Sequence, residues 1–360
     1  MGATNTPLPH YQPAAPTKED LVWANLAILD FAKASTAEGR AELATLARDA
    51  MRDIGFFYVV NHGLAQKEVD RVFDIADLPF SQTSDSEKQE YSERISETGS
   101  YQGYKARQYW HVNGGVRDQI ENYAIHRDVY KKQHPPVLRP FLPELSEFTK
   151  HNHNVLHTVL RLLAMGLELP EDIFVNKHNW AADGETNVRF MKYHPRTMEE
   201  EDMAKQVWLK GHTDVGSITI LWSQPVSGLQ ILSREGEWKW IRHIDNALVI
   251  NAGDCMEFLS GGFYTSTIHR VIQPPVDQRN QTRLGVYYFA MPDDDVRLTP
   301  IAGMQASEAL RARLLDGEFP TVDVWRKSRT MAYGKTELKK SQQKGIEEEI
   351  ISGVVVKHYS

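Results

Sequence analysis

Between about Asn187 and Phe289 the chain is a succession of short apolar segments, each cut off by Gly, Pro, Asn or Asp. They read as strands at Arg189–Tyr193, Leu209–Asp214, Ile218–Trp222, Leu229–Leu232 and Trp238–Ile241, then at Leu248–Asn251, Met256–Leu259, Thr267–Ile272 and Arg283–Phe289. Eight or nine short strands with frequent turns predict a barrel or jelly roll rather than a βαβ sheet. The expected fold class is therefore mainly β with packed helices.

The flanks have a different period. Leu43, Leu46, Ala47, Ala50 and Ile54 share one helical face, and Gly55 is placed to end that helix. Phe56–Val60 then reads as a buried strand stopped by Asn61-His62-Gly63. Val69, Val72, Phe73 and Ala76 mark a second helix that Pro79 should break, and the apolar face from Leu145 to Leu163 marks a longer one ending before Pro170. Further helix is expected around Ala309–Leu315 and Val322–Lys327, followed by an acidic solvated face, Glu347–Glu349, beside a short strand at Gly353–Val356. With no internal repeat, the expected organisation is one interlocked unit: a flexible tail over 1–24, a mixed α/β region over 25–185, a jelly-roll core over 186–295 and a C-terminal helical extension and tail over 296–360.

Composition removes several function classes. Acidic side chains outnumber basic ones, 48 to 41, for a net charge of -7, which argues against nucleic acid as a partner. No apolar run approaches the ~18 residues of a membrane span. The lone Cys255 excludes an internal disulfide framework and a multi-cysteine metal site, and a reducing cytoplasm is the default location. Gly2 and Thr6 fit the loose myristoylation pattern, but no polybasic second signal follows. A disordered tail is the better reading there.

The chemistry concentrates in Leu209-Lys210-Gly211-His212-Thr213-Asp214. Alternate side chains of a strand share a face, so His212 and Asp214 project together and can hold adjacent corners of one metal ion. A lone His-x-Asp is commonplace as a surface pair. Here a third candidate, His269, lies on a later strand of the same β-rich zone. Two His and one carboxylate form the facial triad of non-haem Fe(II) oxygenases, although zinc hydrolases use the same donors. Arg283 heads the apolar strand Leu284–Phe289, where a buried guanidinium needs an anion. The loop Pro274–Gln278 is expected to return that strand antiparallel beside the His269 strand, placing Arg283 near a metal-chelated dicarboxylate.

At this point a resemblance becomes specific. The sequence resembles the Fe(II)- and 2-oxoglutarate-dependent dioxygenases of the isopenicillin N synthase-like branch. Ile54–Gly63 is similar to the N-terminal signature, and His212-Thr213-Asp214 followed by Gly216–Leu221 to its first metal motif. Gly228-Leu229-Gln230, Gly236-Glu237-Trp238, Asn251–Asp254 and His269-Arg270-Val271 follow in the family's order, so the likeness spans roughly residues 25 to 295. The family implies a distorted double-stranded β-helix, with His212, Asp214 and His269 as iron ligands and O2 as oxidant. It implies decarboxylation of 2-oxoglutarate to succinate and CO2. A ferryl-oxo intermediate then hydroxylates, desaturates or cyclises a small organic molecule, in specialised metabolism. Arg283 stands for the arginine of the family's Arg-x-Ser motif, which binds the cosubstrate's distal carboxylate, but Gly285 replaces the serine, so one hydrogen bond is expected to be missing. The Asn-Tyr-Tyr-Pro motif is also altered, to Lys192-Tyr193-His194-Pro195, leaving Tyr193 as a cosubstrate contact and Lys192 and His194 as either donors or solvent-facing groups.

For the substrate, the aromatic stretch Tyr101, Tyr104, Tyr109, Trp110 and Tyr123 is a candidate wall or lid. Met191, Phe289 and Trp208 are read as core, His62 as a turn or packing residue and Cys255 as a small buried group. The partner expected is a small molecule, acted on by a monomer or homodimer with no membrane or nucleic acid involved. The rivals are an iron oxidase that does not use 2-oxoglutarate, a non-catalytic binding protein on the same scaffold, and a zinc hydrolase.

Overall fold

The computed structural model describes residues 8–315, 318–332, 339–340 and 346–359. The acylation pattern at Gly2 and Thr6 lies outside them. The strands, in chain order, are β1 (Ile28–Asp30), β2 (Phe56–Val60), β3 (Gly103–Lys105), β4 (Ile120–His126), β5 (Asn187–Tyr193), β6 (Val207–His212), β7 (Ile218–Trp222) and β8 (Leu229–Leu232). They continue with β9 (Trp238–Trp240), β10 (Leu248–Ala252), β11 (His269–Ile272), β12 (Arg283–Ala290), β13 (Lys339–Lys340), β14 (Ile346–Ile351) and β15 (Val354–Tyr359).

Two sheets face each other, as a jelly roll requires. One runs β1-β2-β10-β7-β12-β5-β4-β3 and the other β13-β14-β15-β6-β11-β8-β9. The larger sheet is buried on both faces, so its central strands β10, β7 and β12 are largely apolar rather than alternating. In β12, Leu284, Val286, Tyr288 and Ala290 join a core shared with the helices Ala37–Asp53, Gln66–Ser81 and Leu142–Gly166. The intervening side chains face inward. Tyr287, with Met191, Tyr193 and Leu221 of the same sheet, packs against Trp208, Leu229 and Val271 of the other. This inner layer holds the site.

Most local expectations hold, and the exceptions have physical causes. The first helix buries Leu43, Ala47 and Ala50 but leaves Leu46 exposed. Gly55 then turns the chain with φ +75°, where a Cβ would lie 2.5 Å from the Thr265 carbonyl oxygen. Pro79 does not break its helix, which runs on to Ser81. Pro79 forgoes only its own hydrogen bond back to the Ile75 carbonyl, and the helix ends two residues later. Met256–Leu259, expected as a strand, lies in the helix Asp254–Leu259, opened by the Glu257 N–H donating to the Gly253 carbonyl. A short apolar run fits either state, and here the extended Gly253 before it decides.

Three larger corrections concern connections. β11 and β12 are not neighbours, because β11 pairs with β6 and β8 whereas β12 pairs with β5 and β7. The loop between them carries the chain across the sandwich. Where a loose tail was expected over 1–24, the described part lies on the fold. Tyr11 stacks on Phe73, its N–H donates to Asp74, and Thr17 and Lys18 bond Asp277. Beyond the helices Glu308–Ala312 and Val322–Ala332, the C-terminal region ends in the hairpin β14–β15, which pairs onto β6. Among the described residues no helix is long and apolar enough to cross a membrane.

Candidate metal centre and cavity

His212 ends β6 and His269 begins β11, and the two are direct cross-strand partners with ring centroids 4.5 Å apart. Asp214 lies two residues past β6, in the turn to β7 rather than in a strand. Its Oδ1 is 3.8 Å from His212 Nε2 and 3.6 Å from His269 Nε2. One ligand atom from each of the three residues falls within 4.8 Å of the others. The sequence pairing of His212 with Asp214 and the distant His269 therefore converges in space.

The outer atoms of all three are tied down. His212 Nδ1 donates to the Lys210 carbonyl at 2.8 Å and His269 Nδ1 to the Thr267 carbonyl at 3.0 Å. A carbonyl only accepts, so the proton sits on Nδ1 and the Nε2 lone pair is left for a cation. Asp214 Oδ2 accepts from Thr219 Oγ1 (2.7 Å) and Asn251 Nδ2 (2.8 Å), leaving Oδ1 turned to the histidines. Burial, with His269 adjacent, pulls the His212 pKa down to about 4. Burial alone would raise the Asp214 pKa, but His269 and then His212 and Asn251 outweigh it, holding it well below the ordinary carboxylate range. A neutral imidazole and an ionised carboxylate are the states a divalent metal needs. For His269 the pull of Asp214 overcomes burial and raises the pKa. This donor set fits ferrous iron, with the far side of the triad opening on a cavity.

That cavity lies between the sheets. β5 and β12 are paired in register, Arg283 with Tyr193, Gly285 with Met191, Tyr287 with Arg189 and Phe289 with Asn187, and all of these but Arg283 and Gly285 line it. Met191 and Phe289, read as core from sequence, are thus wall residues. Arg283 is 2% exposed and sits behind the wall: its Nη1 donates to the Tyr287 hydroxyl at 2.9 Å and its guanidinium lies 5.3 Å over the Tyr193 ring. No acidic group pairs with it among the described residues, and its Nε has no hydrogen-bond partner. Gly285 has a reason. A Cβ there would stand 2.5 Å from Tyr287 Cε2 and 2.8 Å from its hydroxyl, so the glycine makes room for the tyrosine. The hydroxyl beside Arg283 is that of Tyr287, two residues along the same face from Gly285.

The other candidates divide. Tyr101 and Trp110 line the cavity, whereas Tyr104, Tyr109 and Tyr123 do not. Tyr104 and Tyr123 are cross-strand partners on the helix-facing side, where Tyr104 donates to Glu121 and the Tyr123 hydroxyl lies 2.8 Å from His134 Nδ1. Tyr109 is 41% exposed. Lys192 and His194 bind Asp77 (2.7 Å) and Glu121 (2.8 Å), away from the site. Trp208 is buried and donates to Glu201, His62 bonds the Asn246 carbonyl, and Cys255 is buried with its thiol pKa pushed up by burial. Sequence reading missed Arg189, Tyr287 and Arg329. Arg329 reaches the cavity from the C-terminal helix and donates to the Thr213 carbonyl at 3.1 Å, bracing the turn that carries Asp214.

Comparison with known proteins agrees with this geometry. A family model for the non-haem dioxygenase in morphine synthesis N-terminal region matches residues 26–143, and one for the 2OG-Fe(II) oxygenase superfamily matches residues 170–292. The chain belongs to the 2OG-Fe(II) oxygenase superfamily, a family of oxidoreductases that use Fe(II), 2-oxoglutarate and O2. It is 28% identical over 320 residues to the 2-oxoglutarate-dependent dioxygenase frbH of Dothideomycetidae sp., covering 85% of this chain and 92% of that one. It is also 28% identical to 1-aminocyclopropane-1-carboxylate oxidase 1 of Cucumis melo, covering 73% of this chain and 78% of the relative. In fold it is similar to a full-length Neurospora crassa protein crystallised in complex with alpha-KG and thymine, with a TM-score of 0.74 at 23% identity, covering 89% of this chain and 99% of that one.

Proposed function

We propose that this protein is an Fe(II)- and 2-oxoglutarate-dependent oxygenase that hydroxylates, desaturates or cyclises a small organic molecule in specialised metabolism. The observation that carries the reading is the convergence of His212, Asp214 and His269, each with its outer atom pinned, at the edge of a cavity. These three side chains hold the metal. Ferrous iron held so supplies electrons to O2 and, with 2-oxoglutarate, the oxidising power to break an unactivated C–H bond.

The remaining work is done by the chain. Arg283 and Tyr287 take the distal carboxylate of 2-oxoglutarate. The phenol oxygen accepts from the guanidinium, which leaves the phenol proton to donate to the incoming anion. Tyr193 supports the guanidinium from below. Phe56, Trp110, Leu221 and Phe289 exclude water and hold the reacting carbon in place. The protein acts in the cytoplasm on free small molecules, as a monomer or homodimer and without membrane or nucleic acid, in keeping with its net charge of -7.

The seclusion of Arg283 behind Tyr287 favours one second reading, an iron oxidase independent of 2-oxoglutarate. Product and succinate are to be measured together in aerobic and anaerobic buffer. Equimolar succinate, formed only with O2, supports the oxygenase. Product without succinate supports the oxidase, and product without O2 defeats both.

A further inference from the structure

Of the three arginines that line the cavity, Arg189, Arg326 and Arg329, one lacks an ion-pair partner among the described residues. Arg189 projects from the middle of β5 into the cavity and is 9% exposed. Its guanidinium is flanked by two rings, 4.4 Å from the Tyr101 centroid and 4.6 Å from that of Phe289. Among the described residues it makes no side-chain hydrogen bond or ion pair, and its Nε is buried without a partner. The other cavity arginines are occupied: Arg326 pairs with Asp323 at 2.7 Å, and Arg329 with Asp254 at 3.7 Å. A desolvated guanidinium is costly unless an anion meets it.

We propose that Arg189 anchors a carboxylate of the substrate, so that the oxygenase acts on a small, mainly apolar organic acid. This rests on the reading given above and names the substrate class for the same site. Several observations converge on it. With rings against the guanidinium, a ligand's open approach is to its N–H edge, the two-pronged geometry that suits a planar carboxylate. Met191, Leu221 and Phe289 give the wall near Arg189 a large apolar area, with Asn187 the polar neighbour on the same strand face, which fits a hydrophobic body behind a single charge. The cosubstrate does not need Arg189. Arg283 is paired with Tyr193, four residues along β5 from Arg189, about 13 Å of backbone at ~3.3 Å per residue, and its guanidinium is engaged by the Tyr287 hydroxyl. Glu93 and Asp214 act on Arg189 only at longer range, since neither carboxylate forms an ion pair with it, and burial pushes the Glu93 pKa up to about 8.

The test is direct binding. The full chain, loaded with Fe(II) and saturating 2-oxoglutarate under argon so that Arg283 is engaged, is titrated calorimetrically with phenylacetate, indole-3-acetate and octanoate, each against its primary amide. At least one acid should bind the wild type about tenfold or more tightly than its amide. Arg189→Met should erase that preference while leaving amide affinity within about twofold, and Arg189→Lys should restore part of it. Thermal unfolding confirms that each variant is folded. If no acid binds, if acids and amides bind alike, or if the preference survives Arg189→Met, the assignment is wrong. A wild type that fails to bind 2-oxoglutarate in the same samples defeats the oxygenase reading instead.

Discussion

The metal corner and the wall opposite it are built by different means. At the corner, each of the three side chains has its outer atom held by hydrogen bonds, given to a backbone carbonyl by the histidines and accepted by Asp214 from Thr219 and Asn251. On the wall, Arg189 and Tyr101 are held by stacking, and Phe289 lies parallel to Tyr287 with centroids 5.5 Å apart. Hydrogen bonds are directional and fix a ligand's angle. Stacked rings tolerate sliding. The corner is thus specified for one coordination geometry, while the wall can be re-shaped for different guests without disturbing the metal.

That contrast can be broken at its strongest point first. His212→Ala removes a ligand and should abolish iron retention and turnover, a loss of about a thousandfold or more, while the fold survives. Activity near that of wild type would remove His212 from the site. Arg283→Ala should leave iron bound yet raise the 2-oxoglutarate requirement about a hundredfold, read as the cosubstrate concentration at half-maximal decarboxylation. An unchanged requirement would put the cosubstrate elsewhere.

The Gly285–Tyr287 arrangement allows a sharper experiment. Gly285→Ser forces the Tyr287 ring aside and should weaken 2-oxoglutarate about tenfold, and adding Tyr287→Ala, which frees the serine hydroxyl to serve Arg283, should recover most of that loss. Additive losses in the double variant would show that the two side chains do not share a task. Asn251→Ala leaves the triad intact but unpins Asp214, and should weaken Fe(II) about tenfold with little change in the affinity for 2-oxoglutarate.

The smallest effect sits behind the wall. Burial raises the Glu93 pKa from 4.5 to about 8, and Arg189 offsets only part of this. The folded chain keeps a proton that the unfolded chain has lost over that interval, so stability falls as pH rises through it. Glu93→Gln removes the dependence. Its melting temperature should match wild type near pH 4.5 and exceed it by about 2 °C above pH 8. An equal gap at both pH values would mean that Glu93 ionises normally.

Much of this was legible in the sequence, for reasons that also set the limits. The inner strands announce themselves as apolar runs between turn residues, and Ile218–Trp222 and Leu229–Leu232 fall where the sequence places them. The triad was legible because His and Asp among apolar strands have little else to do. Arg189 and Tyr287 were not. A strand buried on both faces carries no polar–apolar alternation to mark the inner one, so Tyr287 and Tyr288 look alike although one lines the cavity and the other meets the helices. The crossing between β11 and β12 was hidden too, since an apolar strand pairs equally well in either sheet.

Ferrous iron titrated anaerobically into the full chain, with His269→Ala alongside, tests the central claim most directly. The account predicts one tightly bound iron per wild-type chain and none in the variant, because His269, far along the sequence from the His212–Asp214 pair, is the cross-strand partner of His212 and completes the triad. Equal iron binding by both proteins would contradict it.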